Sequence, residues 1–287
     1  MSKIVVTGSL HYDIMLQAHH RPEKGETVIG SGCHYKFGGK GGNQAVSAAR
    51  AGAQVAFVGA VGADINGIFL SDVLKDNAID ISRLATIEQV PSGMSVAISD
   101  AEGDYGAVVV SNANNHIPES AFCDSALWDQ TQLLILQNEV PESVNVRAAQ
   151  QAHHHDVLVC LNAAPARMMN QELESNIDIL VVNGVEARDL SGIDVTDLAS
   201  ARTATEKLCE RFPAVVVTAG EHGVAFGLKG EPARSLSAIP VVLVSTHGAG
   251  DCFVGVLCNA LSQGESLAQA CLRANEAAAE HVSRITE

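Results

Sequence analysis

Six short runs of branched apolar residues punctuate the chain: KIVVTGS, QVAFVGAVG, LLILQ, VLVCLN, DILVVN and AVVVTAG. They are apolar at consecutive rather than alternate positions, and several end in Gly or Asn. Strands covered on both faces read this way, and such strands belong to parallel sheets flanked by helices. Between the runs lie stretches with helical apolar spacing, among them NQAVSAARAGA, NGIFLSDVLKDN and SVNVRAAQQAHHH. The alternation predicts an α/β doubly wound fold, a single domain over 1–287 with no internal repeat and no low-complexity linker.

Two segments depart from that rhythm. Residues 12–37 hold the strand-like pieces DIMLQA and ETVIGSGCHYKF with no helix between them. Residues 92–111, SGMSVAISDAEGDYGAVVVS, alternate and turn at AEGD, the pattern of a hairpin. Together they predict a small second β-sheet. A sheet that small cannot cover both its faces, so it needs a ligand, the main domain or a second subunit against it.

Composition narrows the class. The 287 residues are 47% hydrophobic and only 4% aromatic, which suits small side chains packed tightly between helices and a sheet. The formal charge of −15 argues against a nucleic-acid surface, which needs a basic footprint. It leaves room for an anionic ligand, because a few local N–H groups outweigh a distant field. The seven cysteines are scattered singly with no C-x-x-C pair, so neither a disulfide framework nor a zinc ribbon is indicated. The opening MSKIVVTGSL lacks the apolar stretch of a secretion signal. No run approaches the ~18 apolar residues of a membrane span. The expectation is a cytoplasmic protein with no membrane and no nucleic-acid partner.

In open parallel sheets, ligands sit at the carboxyl ends of the strands. The polar residues that follow the apolar runs are therefore the ones to weigh: Asp13, Asn43, Glu139, Asn162, Asn183, Glu186, Thr218 and the loop HGAGD. Two glycine-rich stretches stand out. FGGKGGNQAVSAARAG (37–52) puts glycines around Lys40 just before a helix, but fits neither the G-x-x-x-x-G-K-[ST] phosphate loop nor G-x-G-x-x-G. STHGAGDCFVG (245–255) sets Asp251 directly after a bare loop. An acidic residue in a first helical turn is ordinary. The sharper reading is an anion hole made by the N–H groups of Gly248, Ala249 and Gly250, with Asp251 beside it as the base that takes a proton from an attacking hydroxyl.

GGKGGNQA and THGAGDCFVG, about two hundred residues apart, resemble the paired signatures of the ribokinase-like (PfkB) family of carbohydrate kinases, closest to its ribokinases. VVTGSLHYD resembles the family's first strand and sugar-binding turn, LLILQNE and CLNAAPA its central strands, VVNGVEA its N-x-x-E element, and VVVTAGEHGV its nucleotide strand–turn–strand. The resemblance implies ATP-dependent phosphorylation of a hydroxymethyl group with Mg²⁺, under a small β-sheet lid that often also forms a homodimer. It implies that His11, Asp13, Gly39, Lys40, Asn43 and Glu139 meet the sugar. Asn183 and Glu186 would organise Mg²⁺ through water, with Thr218, Gly220 and Asn275 on the nucleotide. For Asp13, Asn43 and Asn183 the plain alternative is a turn-former or helix cap. Glu139 has its own, a solvated helix-start acid, and Asn275 a purely structural role.

The chain departs from the family at three places. His11 replaces the usual asparagine two residues before the first sugar aspartate, which opens the identity of the sugar. Ser245 replaces an aspartate that helps bind a monovalent cation, and SRITE stops short of the usual glycine-rich C-terminal loop. Potassium activation is therefore expected to be weak or absent. His247 replaces a small residue beside the anion hole, where it either touches phosphate or fills space. HHHD at 153–156 lacks the i, i+4 spacing of a helical metal site and reads as a solvated helix end. Cys252 and Cys258 read as core residues of the helix after the loop. The expected substrate is a small sugar, ribose first. The alternatives are a nucleoside (pseudouridine, adenosine or inosine), which needs a pocket for the base, and a non-catalytic sensor, which needs no base such as Asp251.

Overall fold

The computed structural model describes residues 3–100 and 105–284. Among the described residues, thirteen strands form two sheets. The larger has nine: β1 (Lys3–Thr7), β4 (Gln54–Gly62), β5 (Asp80–Ile87), β8 (Thr131–Gln137), β9 (Leu158–Asn162), β10 (Ile179–Asn183), β11 (Ala214–Thr218), β12 (Gly223–Leu228) and β13 (Arg234–Ser237). Their order is β13-β12-β11-β10-β9-β8-β1-β4-β5, and β12 and β13 alone run antiparallel to their neighbours. The helices are α1 (Lys40–Arg50), α2 (Ile65–Asp76), α3 (Ser125–Trp128), α4 (Glu142–His154), α5 (Gln171–Glu174), α6 (Gly184–Ser191), α7 (Leu198–Cys209), α8 (Ala249–Ser262) and α9 (Leu267–Ser283). Among the described residues no helix is long and apolar enough to cross a membrane.

All six apolar runs are strands of this sheet, and the reason is visible in their burial. Successive residues go to opposite cores: Ile4 and Val6 pack with α1, α2, α8 and α9 side chains, while Val5 packs on the α4, α6 and α7 side. Leu133 and Ile135 against Leu134 and Leu136 repeat the division in β8. The chain first lays β4 and β5 on one side of β1, then returns to place β8 on the other. That reversal opens a crevice at the carboxyl ends of β1 and β8, where an α/β sheet receives its ligand.

The second sheet, ordered β3-β2-β6-β7, consists of β2 (His11–Gln17), β3 (Gly32–Gly38), β6 (Met94–Ser99) and β7 (Tyr105–Val110). It is the small sheet expected from 12–37 and 92–111, with one trimming: 26–30, the ETVIG part of the first segment, is not strand. The expected AEGD turn lies outside the described residues, although β6 and β7 pair antiparallel on either side of it. Register sorts this sheet into two unlike faces. Lys36, Asp13, Ser95 and Val109 form one row across the four strands, and Tyr35, Ile14, Val96 and Val108 form the next row on the opposite face.

A buried amide ties the sheet to the main body. Asn114 accepts from the Leu10 N–H at 2.9 Å and donates to the Leu10 carbonyl at 2.9 Å. Leu10 is where the chain leaves β1 for β2, and Asn114 lies just beyond β7. The side chain thus replaces two backbone partners that a missing strand would have supplied.

Candidate active site

The crevice is a cavity of about 770 Å³ roofed by the small sheet. His11, Asp13, Gly39, Lys40, Asn43, Glu139, Asn183, Glu186, Thr218, Gly248, Gly250 and Asp251 all line it. A second groove of about 610 Å³, lined by Glu119, Glu142, Arg147 and Glu172 among others, contains none of the residues selected from the sequence.

At the sheet end, Asp13 points from β2 into the cavity and accepts from the Ser95 hydroxyl at 2.5 Å. Burial raises its pKa, and the Ser95 bond works against that. Glu139, just past β8, accepts from the Ser9 hydroxyl at 2.5 Å and from the Lys40 N–H at 2.9 Å. The carboxylate therefore latches the loop that starts α1 onto the end of β1. Gly39 precedes that helix with φ 90°, and a Cβ there would fall 2.7 Å from the Ser9 carbonyl and 2.8 Å from the Leu10 Cα. Only glycine fits. His11 is 3% exposed; its Nδ1 is 3.9 Å from Glu139 Oε2, and its Nε2 has no partner.

At the opposite end, Gly248 (φ 74°) caps α8, and Asp251 stands in the first turn. The Ala249 N–H donates to the Thr246 carbonyl at 3.2 Å, closing a tight turn. Among the described residues no acceptor meets the N–H groups of Gly248, Gly250 or Asp251. The free donors at this helix start are thus not the three consecutive ones expected from GAG: Ala249 is engaged and Asp251 is added. Gly250 has open space in front of it. His247 lines the cavity, and its carbonyl accepts from His281 Nε2 at 2.8 Å.

Asp251 is held by two neighbouring amides of α1. Gln44 Nε2 donates to Oδ1 at 2.9 Å, and Asn43 Nδ2 lies 3.3 Å from Oδ2. Burial raises the pKa of Asp251, while the charge of Lys40 and these two amides lower it. The helices that bring them together pack closely: a Cβ on Gly255 of α8 would sit 2.5 Å from Ser47 Cβ of α1. Gln44 and Ser9 escaped the sequence reading. Each follows a glycine motif already in view, but neither residue type marks chemistry by itself.

Asn183 and Glu186 form a capping box on α6. The Asn183 side chain accepts from the Glu186 N–H at 2.9 Å, Glu186 Oε2 accepts from the Asn183 N–H at 2.8 Å, and Asn183 Nδ2 donates to Oε1 at 3.0 Å. The plain helix-cap reading thus holds geometrically, yet Glu186 also faces the cavity. Burial raises its pKa, with Asp251 adding to the rise and Lys40 opposing it. The charge of Lys40 thus acts on both inner carboxylates. Two expected nucleotide residues do not line the cavity. Gly220 opens a single 3₁₀ turn beyond β11, and Asn275 on α9 donates to the Ser237 carbonyl at 2.9 Å, tying that helix to β13. His153 of the HHHD run pairs with Asp178 at 2.9 Å, and neither residue lines the cavity.

Comparison with known proteins follows the same lines. The family model described as pfkB family carbohydrate kinase matches residues 1–286. A ribokinase of Haemophilus influenzae is 35% identical over 278 residues, covering 96% of this chain and 90% of its own. A ribokinase of Bacillus subtilis is 34% identical over 279 residues, covering 97% and 92%. The structure of Arabidopsis thaliana ribokinase complexed with ribose and ATP superposes with a TM-score of 0.91 at 27% identity, over 99% of this chain and 94% of that one.

Proposed function

The chain belongs to the pfkB family of carbohydrate kinases, and on that premise we propose that it transfers the γ-phosphoryl group of ATP to a hydroxymethyl oxygen of a small sugar, ribose first. The observation that carries this reading is the meeting, on one cavity, of a carboxylate (Asp251) with the free N–H groups at the α8 start. Phosphoryl transfer asks a protein mainly to position groups and to stabilise charge, and these two features supply both.

In this reading the sugar lies under the small sheet, between Asp13, Asn43 and the Glu139–Lys40 latch. Its hydroxymethyl oxygen attacks the γ-phosphorus, the bond to the β–γ bridging oxygen breaks, and the hydroxyl proton passes to Asp251. The N–H groups of Gly248, Gly250 and Asp251 meet the γ-phosphoryl oxygens at the positive end of α8. Thr218 and Asn183 face the nucleotide side. Glu186, a carboxylate that faces the cavity beside Asn183, suits a hydrated divalent cation. Magnesium held there through water would neutralise phosphate charge.

The cavity-facing side chains of the small sheet, Ser95, Ala97, Ala107 and Val109, favour a small sugar over a nucleoside, since they offer no aromatic wall for a base. The two curated relatives named ribokinase point the same way. The outer face supports a homodimer: Tyr35 and Val108 are 60% and 67% exposed in an otherwise apolar row, and such a row seeks cover. All seven cysteines are free, which fits a cytoplasmic setting. The test is ATP turnover against a panel of pentoses, hexoses and nucleosides. Ribose is expected to give the highest kcat/KM; a nucleoside outrunning every sugar, or no sugar-dependent turnover at all, refutes the reading.

A further inference from the structure

A directed chain of amides ends on Asp251, and it starts from a group that cannot turn round. The Val181 carbonyl only accepts, so Asn162 must present its NH₂ to it, at 3.2 Å. Asn162 Oδ1 then faces Gln44 and accepts from Nε2 at 3.0 Å. The other hydrogen of the same Gln44 NH₂ goes to Asp251 Oδ1 at 2.9 Å. Gln44 Oε1 accepts from Gln137 Nε2 at 2.9 Å, so the oxygen placed by that orientation is satisfied as well. Gln44 and Gln137 are both 0% exposed, so water does not relax this order. All the hydrogen-bonding capacity of the Gln44 NH₂ is used, and its sense is fixed from the sheet outward.

We propose that Gln44 is the positioning residue for the base: it keeps Asp251 Oδ1 an acceptor, turned toward the α1 interior, so that Oδ2 alone receives the substrate proton. Oδ2 is the oxygen beside Asn43, which lines the cavity, whereas Gln44 does not. A charge-assisted donor on Oδ1 stabilises the carboxylate against the burial that pushes it toward its acid form. It also forbids a proton on the inner oxygen, where it would be useless. This inference rests on the proposed kinase reading for its catalytic meaning, and on geometry alone for the state of Asp251.

The test uses two near-isosteric changes in the full chain. Gln44→Met removes the donor. The acid limb of kcat should move up by on the order of one pH unit, with activity largely restored on the alkaline side and KM for ATP and sugar within about threefold. Gln137→Met removes the donor that holds Gln44 Oε1, loosening the amide, and should shift the limb in the same direction by less. A parallel ¹³C-carboxyl titration of aspartate-labelled protein, with the Asp251 signal identified by its loss in Asp251→Asn, reads the same group without catalysis. An Asp251 titration unmoved in folded Gln44→Met, or an activity loss equal at every pH, overturns the proposal. If Gln44→Met does not fold, an unmoved titration in Gln137→Met overturns it. If the wild type turns over no sugar yet the Asp251 signal titrates higher in the variants, the kinase reading falls and the assignment of Gln44 stands.

Discussion

Replacing Asp251 by asparagine changes one atom in a well-defined setting. The side-chain oxygen of the variant stays against Gln44, whose NH₂ must find an acceptor there. The new NH₂ therefore takes the place of Oδ2, near Asn43 and the cavity. It can still hydrogen-bond to a sugar hydroxyl but cannot take its proton. Substrate binding should survive and the chemical step should not. Loss of a general base costs ~10²–10⁴-fold, equivalent to about 2.7–5.5 kcal/mol of barrier. The same change should not weaken the fold. Burial raises the Asp251 pKa, so the native protein holds that proton to a higher pH than the unfolded chain does. Its contribution to stability is present below the ordinary aspartate value and is lost as pH rises through the raised one. A neutral isostere escapes that loss, and its Tm at pH 7 should equal or exceed that of the wild type. Initial rates of ADP release over a grid of ATP and sugar concentrations, with calorimetry on the same preparations, measure both effects. Retention of more than about a tenth of kcat would show that Asp251 is not the base, and a lowered Tm would show that the carboxylate is net stabilising.

Three further outcomes are expected. Exchanging potassium for a large organic cation at constant ionic strength should change kcat and the KM for ATP little, because the Val244 and Ser245 N–H groups both donate to the Val282 carbonyl and His281 holds the His247 carbonyl; a tenfold gain specific to potassium refutes this. The wild type should sediment as a dimer at micromolar concentration and Val108→Asp as a monomer, with sugar slowing hydrogen exchange in 12–37 and 92–111; a wild-type monomer, or exchange unchanged by a true substrate, removes the respective claim. Asn114→Ala leaves the buried N–H and carbonyl of Leu10 unpaired and should cost about 1–3 kcal/mol, seen as a drop of several degrees in Tm; a Tm within one degree of wild type contradicts the role given to that clamp.

What the sequence disclosed follows from where the determinants lie along it. The strands buried on both faces announced themselves because each residue of a run meets a core. β5 did not: DISRLATI carries Asp80 and Arg83 at a sheet edge, where one side needs no cover. β12 and β13 are antiparallel additions whose short segments carry no comparable run. The two glycine motifs were legible because backbone conformation is written in consecutive residues. Gln44, Ser9 and Asn114 act through partners 93 to 207 positions away, and a lone polar residue on a helix or loop gives no hint of such a partner. Gly220 and Asn275 came from the resemblance alone, and here they serve a turn and a helix–strand tie. Ala249 shows a subtler limit: a bare loop signals free N–H groups, but not which of them the turn itself consumes.

Four carboxylates (Asp13, Glu139, Glu186 and Asp251) look into the cavity against two lysines (Lys36 and Lys40), in a chain of formal charge −15. A bare nucleotide, itself polyanionic, diffuses toward such a mouth against the field, and meets attractive N–H groups only within the last few ångströms. Association should therefore be slow in dilute buffer and quicken as ions shrink the reach of the repulsion to ~8 Å at physiological strength. The acidic lining should thus act as a filter on encounter, favouring phosphates that arrive already clothed in counter-ions over those that arrive naked.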